Sequence, residues 1–263
     1  MIQSIVGSYS LFVTIFEPTS AKSLPRQRAM RTIHAQVLNQ LGHEIVSGRL
    51  EVGSQLPPEE VLAANLGISK GGLREVTKAL ASKGMLSVRP RTGTIVTPRN
   101  SWVLFDPQVL DWHTSLPGAP MAEQLLELRL FVEPQASRLA CTRASDNELE
   151  KIKSANDRMQ QAFQRGEPGL DDFLAADLEF HKTILSASGN ELVGQLGRLF
   201  AGALRRGFDL TFHVDGSVAR SLPLHAEIAD AIAARSSDRA ERASRNLLLS
   251  TSQELQNAER SAL

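Results

Sequence analysis

Residues 56–96 read LPPEEVLAANLGISKGGLREVTKALASKGMLSVRPRTGTIV, and this stretch decides the fold. Pro57 and Pro58 suit the first turn of a helix, where a missing N–H costs little. Glu59 and Glu60 follow where the helix dipole favours negative charge. Val61, Leu62 and Leu66 keep helical spacing, and Gly67 stops the run. Ser69 is the natural N-cap of a second helix, its side-chain oxygen facing orphan N–H groups. That helix is predicted to bury Leu73, Val76, Thr77 and Leu80 at i, i+3, i+4, i+7. Lys70, Arg74 and Lys78 share its other face, and Gly84 ends it. Leu86–Val88 and Ile95–Val96 then flank Arg89, Pro90, Arg91, Thr92 and Gly93, a basic hairpin tip. Two short helices, a tight turn and a hairpin make a winged helix-turn-helix, with the second helix placed to enter a major groove.

The same residues suit DNA. Ser69 and the N–H groups at the helix start can hold a phosphate. Lys70 and Arg74 can reach base edges, Arg with a bidentate edge for guanine. Gly71 and Gly72 form helix poorly, and are expected to let backbone and duplex approach. Arg89, Arg91, Thr92 and Gly93 would lay the wing along the backbone or in the minor groove. A solvated charged surface is the plain alternative. Turn, caps, core spacing and basic face all agree on DNA.

Upstream, Ile33, Val37, Leu38, Leu41 and Ile45 form one helical stripe ended by Gly48. Ile45-Val46-Ser47-Gly48-Arg49-Leu50, Gly53, Leu56-Pro57, Leu62, Gly67-Ile68-Ser69, Leu73-Arg74-Glu75-Val76, Leu80, Gly84 and Gly93 together resemble the N-terminal domain of GntR-family transcription regulators. The resemblance puts Ser69, Lys70, Arg74 and Gly93 on the family's DNA-contacting positions. The family often carries Arg where this chain has Glu60, and Lys70 replaces a frequent Arg.

Charge divides the chain. Its 263 residues have zero formal net charge. Residues 26–99 carry eleven Lys/Arg against five Asp/Glu, and residues 100–263 carry 17 against 23. A basic front and an acidic back imply that nucleic acid meets only the front. Cys141 is the sole cysteine, so no intrachain disulfide forms, which suits a cytoplasmic protein. No apolar run approaches membrane-spanning length. Ile5–Phe16 is fairly apolar, but no Lys or Arg precedes it, so it makes a poor signal peptide. The expected organisation is a poorly ordered extension over 1–27, a winged helix-turn-helix over 28–98, a linker over 99–120 and an all-α domain over 121–263. The fold class is therefore mainly α, with a C-terminal helical bundle.

The linker holds Trp102, Asp106, Val109-Leu110 and Trp112 between prolines. It resembles the connector of the family's galactonate-responsive branch. Beyond it the pattern predicts helices near 121–141, 146–164, 170–187, 190–213, 219–234 and 237–259, a bundle. Asp177 and His181 stand at i, i+4 on one face, and His225 opens a later stripe with Ile228, Ala229 and Ile232. Converging, the three could hold a divalent cation such as zinc. An Asp/His pair can equally be a hydrogen-bonded core histidine. Residues 121–255 resemble the FCD effector domain of FadR-type GntR regulators. There Asp-x-x-x-His and two later His bind a metal that helps to hold a carboxylate effector. Asp177, His181 and His225 match three positions. The fourth falls near Leu247, and His213 is a poorly aligned substitute.

Arg129 lies among apolar neighbours. The resemblance turns it toward the effector cavity, where a guanidinium pairs with a carboxylate. An ion pair with Glu133 at i+4 is its structural alternative. Arg205 and Arg206 are further polar candidates there. The resemblance implies a homodimeric repressor that binds a pseudo-palindromic operator and is released by a small carboxylate, a sugar acid such as galactonate. The alternatives are a constitutive DNA-binding protein with a vestigial pocket, and a metal hydrolase at Asp177, His181 and His225. The hydrolase lacks an evident general base, because Glu179 would point away from the cluster.

Overall fold

A computed structural model describes residues 26–89, 93–116, 120–166, 169–197, 199–200 and 216–261. The expected extension before residue 26, wing-tip residues Arg91 and Thr92, and Arg205, Arg206 and His213 lie outside the described residues. The chain forms two compact units that meet in sequence at His113 and Thr114.

The first unit opens with α1 (Arg26–Val46), starting two residues before the expected domain boundary. Helix α2 (Glu59–Asn65) starts after both prolines expected in its first turn, with Pro58 as N-cap residue. Helix α3 (Lys70–Ser82) is capped by Ser69, whose Oγ accepts from Gly72 N at 3.0 Å. Leu73, Val76 and Leu80 are buried as predicted, and Thr77 is half-buried. Gly84 follows with φ +72°, and a Cβ there would sit 2.0 Å from the Ser101 carbonyl oxygen, so only glycine fits this turn. Strands β1 (Leu86–Arg89) and β2 (Gly93–Val96) pair antiparallel, Leu86 opposite Val96 and Arg89 opposite Gly93. The loop before α2 also pairs with β2: Leu56 N donates to Thr94 O and Val96 N to Ser54 O. Leu41, Ile45, Leu62, Leu73, Leu80, Met85 and Val96 form the centre of one core.

The expected linker is part of this unit through His113. Its helix α4 (Pro107–Thr114) is capped by Asp106, whose Oδ1 accepts from Gln108 N at 2.9 Å and Val109 N at 3.1 Å. Trp112 is fully buried, donates from Nε1 to Asn39 Oδ1 at 3.1 Å, and covers Gly42 so closely that a Cβ there would lie 2.5 Å from the indole. Trp102 is buried too and donates to Thr97 O at 3.0 Å. Burying two indoles removes a large apolar area from water, and that anchors the segment.

The second unit is a helical bundle: α5 (Pro120–Arg143), α6 (Asp146–Gln164), α7 (Leu170–Ala187), a helical run at 191–197, α8 (Ser217–Ala233) and α9 (Ser237–Ser261). Ser145 and Glu148 form a capping box at the start of α6, and Asn190 Oδ1 caps the 191–197 run. Helix α5 packs on α7, α8 and α9, and α6 on α7 and α8. Cys141 is buried where α5 meets α8, its Sγ 3.4 Å from Ser137 O and 3.8 Å from Ala231 O. Among the described residues no helix is long and apolar enough to cross a membrane.

Candidate functional site

Two places carry the predicted chemistry. In the first unit, Ser69, Lys70, Gly71 and Arg74 are all exposed along the start of α3. Arg89 is exposed at the end of β1, opposite Gly93. Gly72 is the exception. It is buried, and a Cβ there would lie 2.4 Å from His34 Nε2 of α1. Its missing side chain serves helix packing against α1, whereas Gly71 is exposed and open.

The sequence pattern did not show that every cation on α3 faces a carboxylate. Lys70 Nζ lies 2.9 Å from Glu60 Oε1, Arg74 Nε 2.9 Å from Glu59 Oε1, and Lys78 Nζ 2.9 Å from Glu75 Oε1. The Arg74 Nε–H points at Glu59 Oε2, 3.1 Å away, whereas Oε1 is nearer but off its axis and has no donor directed at it.

In the second unit, α7 and α8 bring Asp177, His181 and His225 together. All three are buried, and one ligand atom of each lies within 4.8 Å of the others. Helical spacing puts Asp177 and His181 one turn apart on α7. His225 Nε2 is 3.0 Å from Asp177 Oδ1, and His181 Nε2 is 3.7 Å from the same oxygen. Behind them stands α5. Glu133 Oε2 is 2.7 Å from His181 Nδ1, and Arg129 Nε is 2.5 Å from Glu133 Oε1. Arg129 thus makes the i+4 ion pair with Glu133 that its spacing allowed, and the pair continues to His181. Sequence reasoning missed this extension, because nothing local connects Glu133 to a helix forty residues on.

The outer edges of both imidazoles are occupied. A carbonyl oxygen can only accept, so His225 Nδ1, 2.9 Å from Ser221 O, carries the hydrogen. His181 Nδ1 is committed in the same way to the Glu133 carboxylate. Both Nε2 atoms therefore turn toward Asp177. His225 Nε2 is close to Oδ1 yet makes no well-directed hydrogen bond among the described residues. Two imidazole Nε2 atoms and a carboxylate oxygen set this close need positive charge among them, carried by an imidazolium hydrogen or by a bound cation. Imidazoles tied back through Nδ1 to a carboxylate and a carbonyl are the usual support of metal-ligating histidines. The donor set, two imidazoles and one carboxylate, suits a divalent cation with open positions.

The electrostatics agree. Burial pushes the Glu133 carboxyl up, but Arg129 and then His181 outweigh it and hold it at about 2. Burial also raises Asp177, and the neighbouring His225 and His181, with Arg129 behind, bring it below its ordinary value. Leu247, at the expected fourth position, is buried and offers no donor atom. Glu179 is turned to Lys182, 3.8 Å away, and is no base for the cluster. A further buried group was not foreseen: His113 beside Trp102 has an Nε2 with no hydrogen-bond partner among the described residues, and burial, then Arg99, hold its imidazole down at about 4.

Comparison with known proteins places both units. Residues 33–96 match the model for bacterial regulatory proteins of the gntR family, and residues 124–250 match the FCD domain. The galactonate operon transcriptional repressor of Escherichia coli K12 is 31% identical over 82% of this chain and 93% of its own length. The transcriptional repressor NanR of Salmonella newport is 29% identical over 89% of this chain and 90% of its own. In fold, the chain is similar to Lar, which controls expression of the Listeria monocytogenes agr system, with a TM-score of 0.63 at 16% identity, over 91% of this chain and 99% of that one.

Proposed function

Given that this chain belongs to the GntR family of bacterial transcription regulators and carries an FCD domain, we propose that it is a repressor released from its operator by a small carboxylate bound in the helical bundle. It is a DNA-binding regulator and not an enzyme. Two copies would read a pseudo-palindromic site, since helix-turn-helix dimers meet half-sites related by two-fold symmetry. Ser69, Lys70, Gly71, Arg74, Arg89 and Gly93 would form the contact surface. The relative that represses a galactonate operon supports a sugar acid as the effector.

The observation that carries the effector reading is the buried cluster of Asp177, His181 and His225, with both Nε2 atoms turned inward. These three would hold a divalent cation. When bound, the cation supplies positive charge and open coordination positions suited to a carboxylate. Glu133 and Ser221 fix the orientation of the imidazoles, and Arg129 neutralises Glu133. Effector binding would favour a dimer geometry that mismatches the operator. That coupling is reciprocal, so operator DNA must weaken effector binding by the same factor.

Thermal unfolding of the purified chain against a panel of sugar acids, with and without divalent metal, tests this. A ligand at a hundred times its dissociation constant stabilises by about 2.7 kcal/mol, so one acid should raise the midpoint, and more strongly with metal. No shift with any acid under either condition would leave a constitutive DNA-binding protein with a vestigial pocket. Arg74→Ala tests the DNA surface: duplex affinity at fixed salt should fall, and unchanged binding would refute this placement of α3.

A further inference from the structure

The cations of α3 are Lys70, Arg74 and Lys78, at i, i+4 and i+8 on its exposed face. Each is paired with a carboxylate 2.9 Å away. Two of these carboxylates, Glu59 and Glu60, come from the first turn of α2, so the pairing crosses between helices. There the α2 dipole favours their charge. The wing contrasts with this face, because exposed Arg89 has no carboxylate partner among the described residues.

Resting on the reading of α3 as the helix that enters the duplex, we propose that Glu59, Glu60 and Glu75 are specificity-determining residues that lower affinity for DNA in general and spare affinity for the right bases. The argument is one of charge. A free cation on a reading helix binds any phosphate, and that term is independent of sequence. A carboxylate beside each cation repels phosphate. It scarcely affects a neutral acceptor edge such as guanine O6 and N7, because the base carries no charge. The carboxylates therefore penalise wrong and sliding complexes more than the correct one, which is how discrimination is built. This holds although exposed pairs contribute little to folding, since the potential depends on where the charges are.

Glu59 adds a second effect as a positioning residue. It engages Arg74 through Nε, which leaves the two Nη groups as the bidentate edge that guanine accepts.

The test uses the full-length chain and variants Glu59→Gln, Glu60→Gln, Glu75→Gln and the triple variant. Binding is measured to a random-sequence duplex of fixed length and to a duplex pool enriched on the wild type from a randomised library, over a salt series. Each neutralisation should tighten random-duplex binding several-fold and steepen the slope of log K against log salt by up to about 0.9. The triple variant should lose roughly tenfold or more of the enriched-to-random affinity ratio. Glu60→Asp, which keeps the charge, should restore the wild-type slope and ratio. Base preferences of the pool selected by Glu59→Gln should weaken at one position, that read by Arg74. Unchanged slopes and ratios in variants that still bind duplex would overturn the proposal and leave the regulator reading intact. A wild type that binds no duplex would overturn both.

Discussion

On α3, Lys70 and Glu60 form an ion pair with 54% and 79% of their side chains in water, whereas Arg129 and Glu133 in α5 are 5% and 3% exposed. The chemistry is the same and the consequence differs. Water screens the first pair, so its members can exchange partners, and its contribution to folding is about 0.2–1 kcal/mol. The second pair has no such alternative. Once both charges are out of water each depends on the other, and removing one leaves an uncompensated buried charge. The exposed pairs therefore suit a surface whose charges stay available to a further partner, as the proposed DNA contact requires. The buried pair suits a framework that must hold His181 in one orientation.

The largest expected effect comes from breaking the buried pair. Arg129→Met should destabilise the second unit by about 3–5 kcal/mol, read by chemical denaturation, and adding Glu133→Leu should recover much of that loss. A loss below about 1 kcal/mol would mean that water reaches the pair, and the contrast with α3 would fail.

Acid sharpens the comparison next. Glu133 is held at about 2, below its ordinary 4.5, so the unfolded chain takes up this proton first. Its contribution is complete above 4.5 and is lost as pH falls from there toward 2. His113 in the first unit is neutral when folded and is held at about 4 against an ordinary 6.5. Its unfolded form also binds the proton first, so the first unit should lose stability from 6.5 down to 4. Unfolding midpoints followed by separate probes in the two units should show these two windows. Arg129→Met should flatten the lower one, and His113→Phe the upper one.

Helix caps fall between the extremes. Ser69→Ala and Ser145→Ala should each cost about 1 kcal/mol, because each frees an N–H at a half-wet helix end. The smallest change is expected for Lys78→Ala, whose partner Glu75 is exposed as well. It should shift stability by no more than about 0.5 kcal/mol and by nothing at high salt. A larger shift would show that the α3 pairs are more than screened surface charges.

The winged helix-turn-helix was legible because its signals are local: a cap at Ser69, stops at Gly67 and Gly84, and a four-residue apolar period between them. Asp177 and His181 were legible for the same reason, at one helical turn. Features that depend on distant packing were not. The packing reason for Gly72 was not visible, because His34, which lies against it, is 38 residues earlier. Residues 99–113 looked like a linker, since prolines punctuate the segment and the groups that bury Trp112, Gly42 and Asn39, belong to α1. The spacing of Arg129 left two roles open; the ion pair with Glu133 is one of them, and its continuation to His181 depends on where α7 lies. Glu60 was visible as a charge where the family often has Arg, but its pairing with Lys70 depends on how α2 and α3 meet.

Cys141 closes the seam between α5 and α8 as the chain's single sulfhydryl, and burial raises its pKa. A thiol reagent can modify it only when that seam opens. The rate of labelling therefore counts openings of the bundle and is blind to the winged unit. Without an introduced probe, a clock for the helical bundle is already in place: a ligand that tightens the bundle slows it, and one acting only on the winged unit leaves it unchanged.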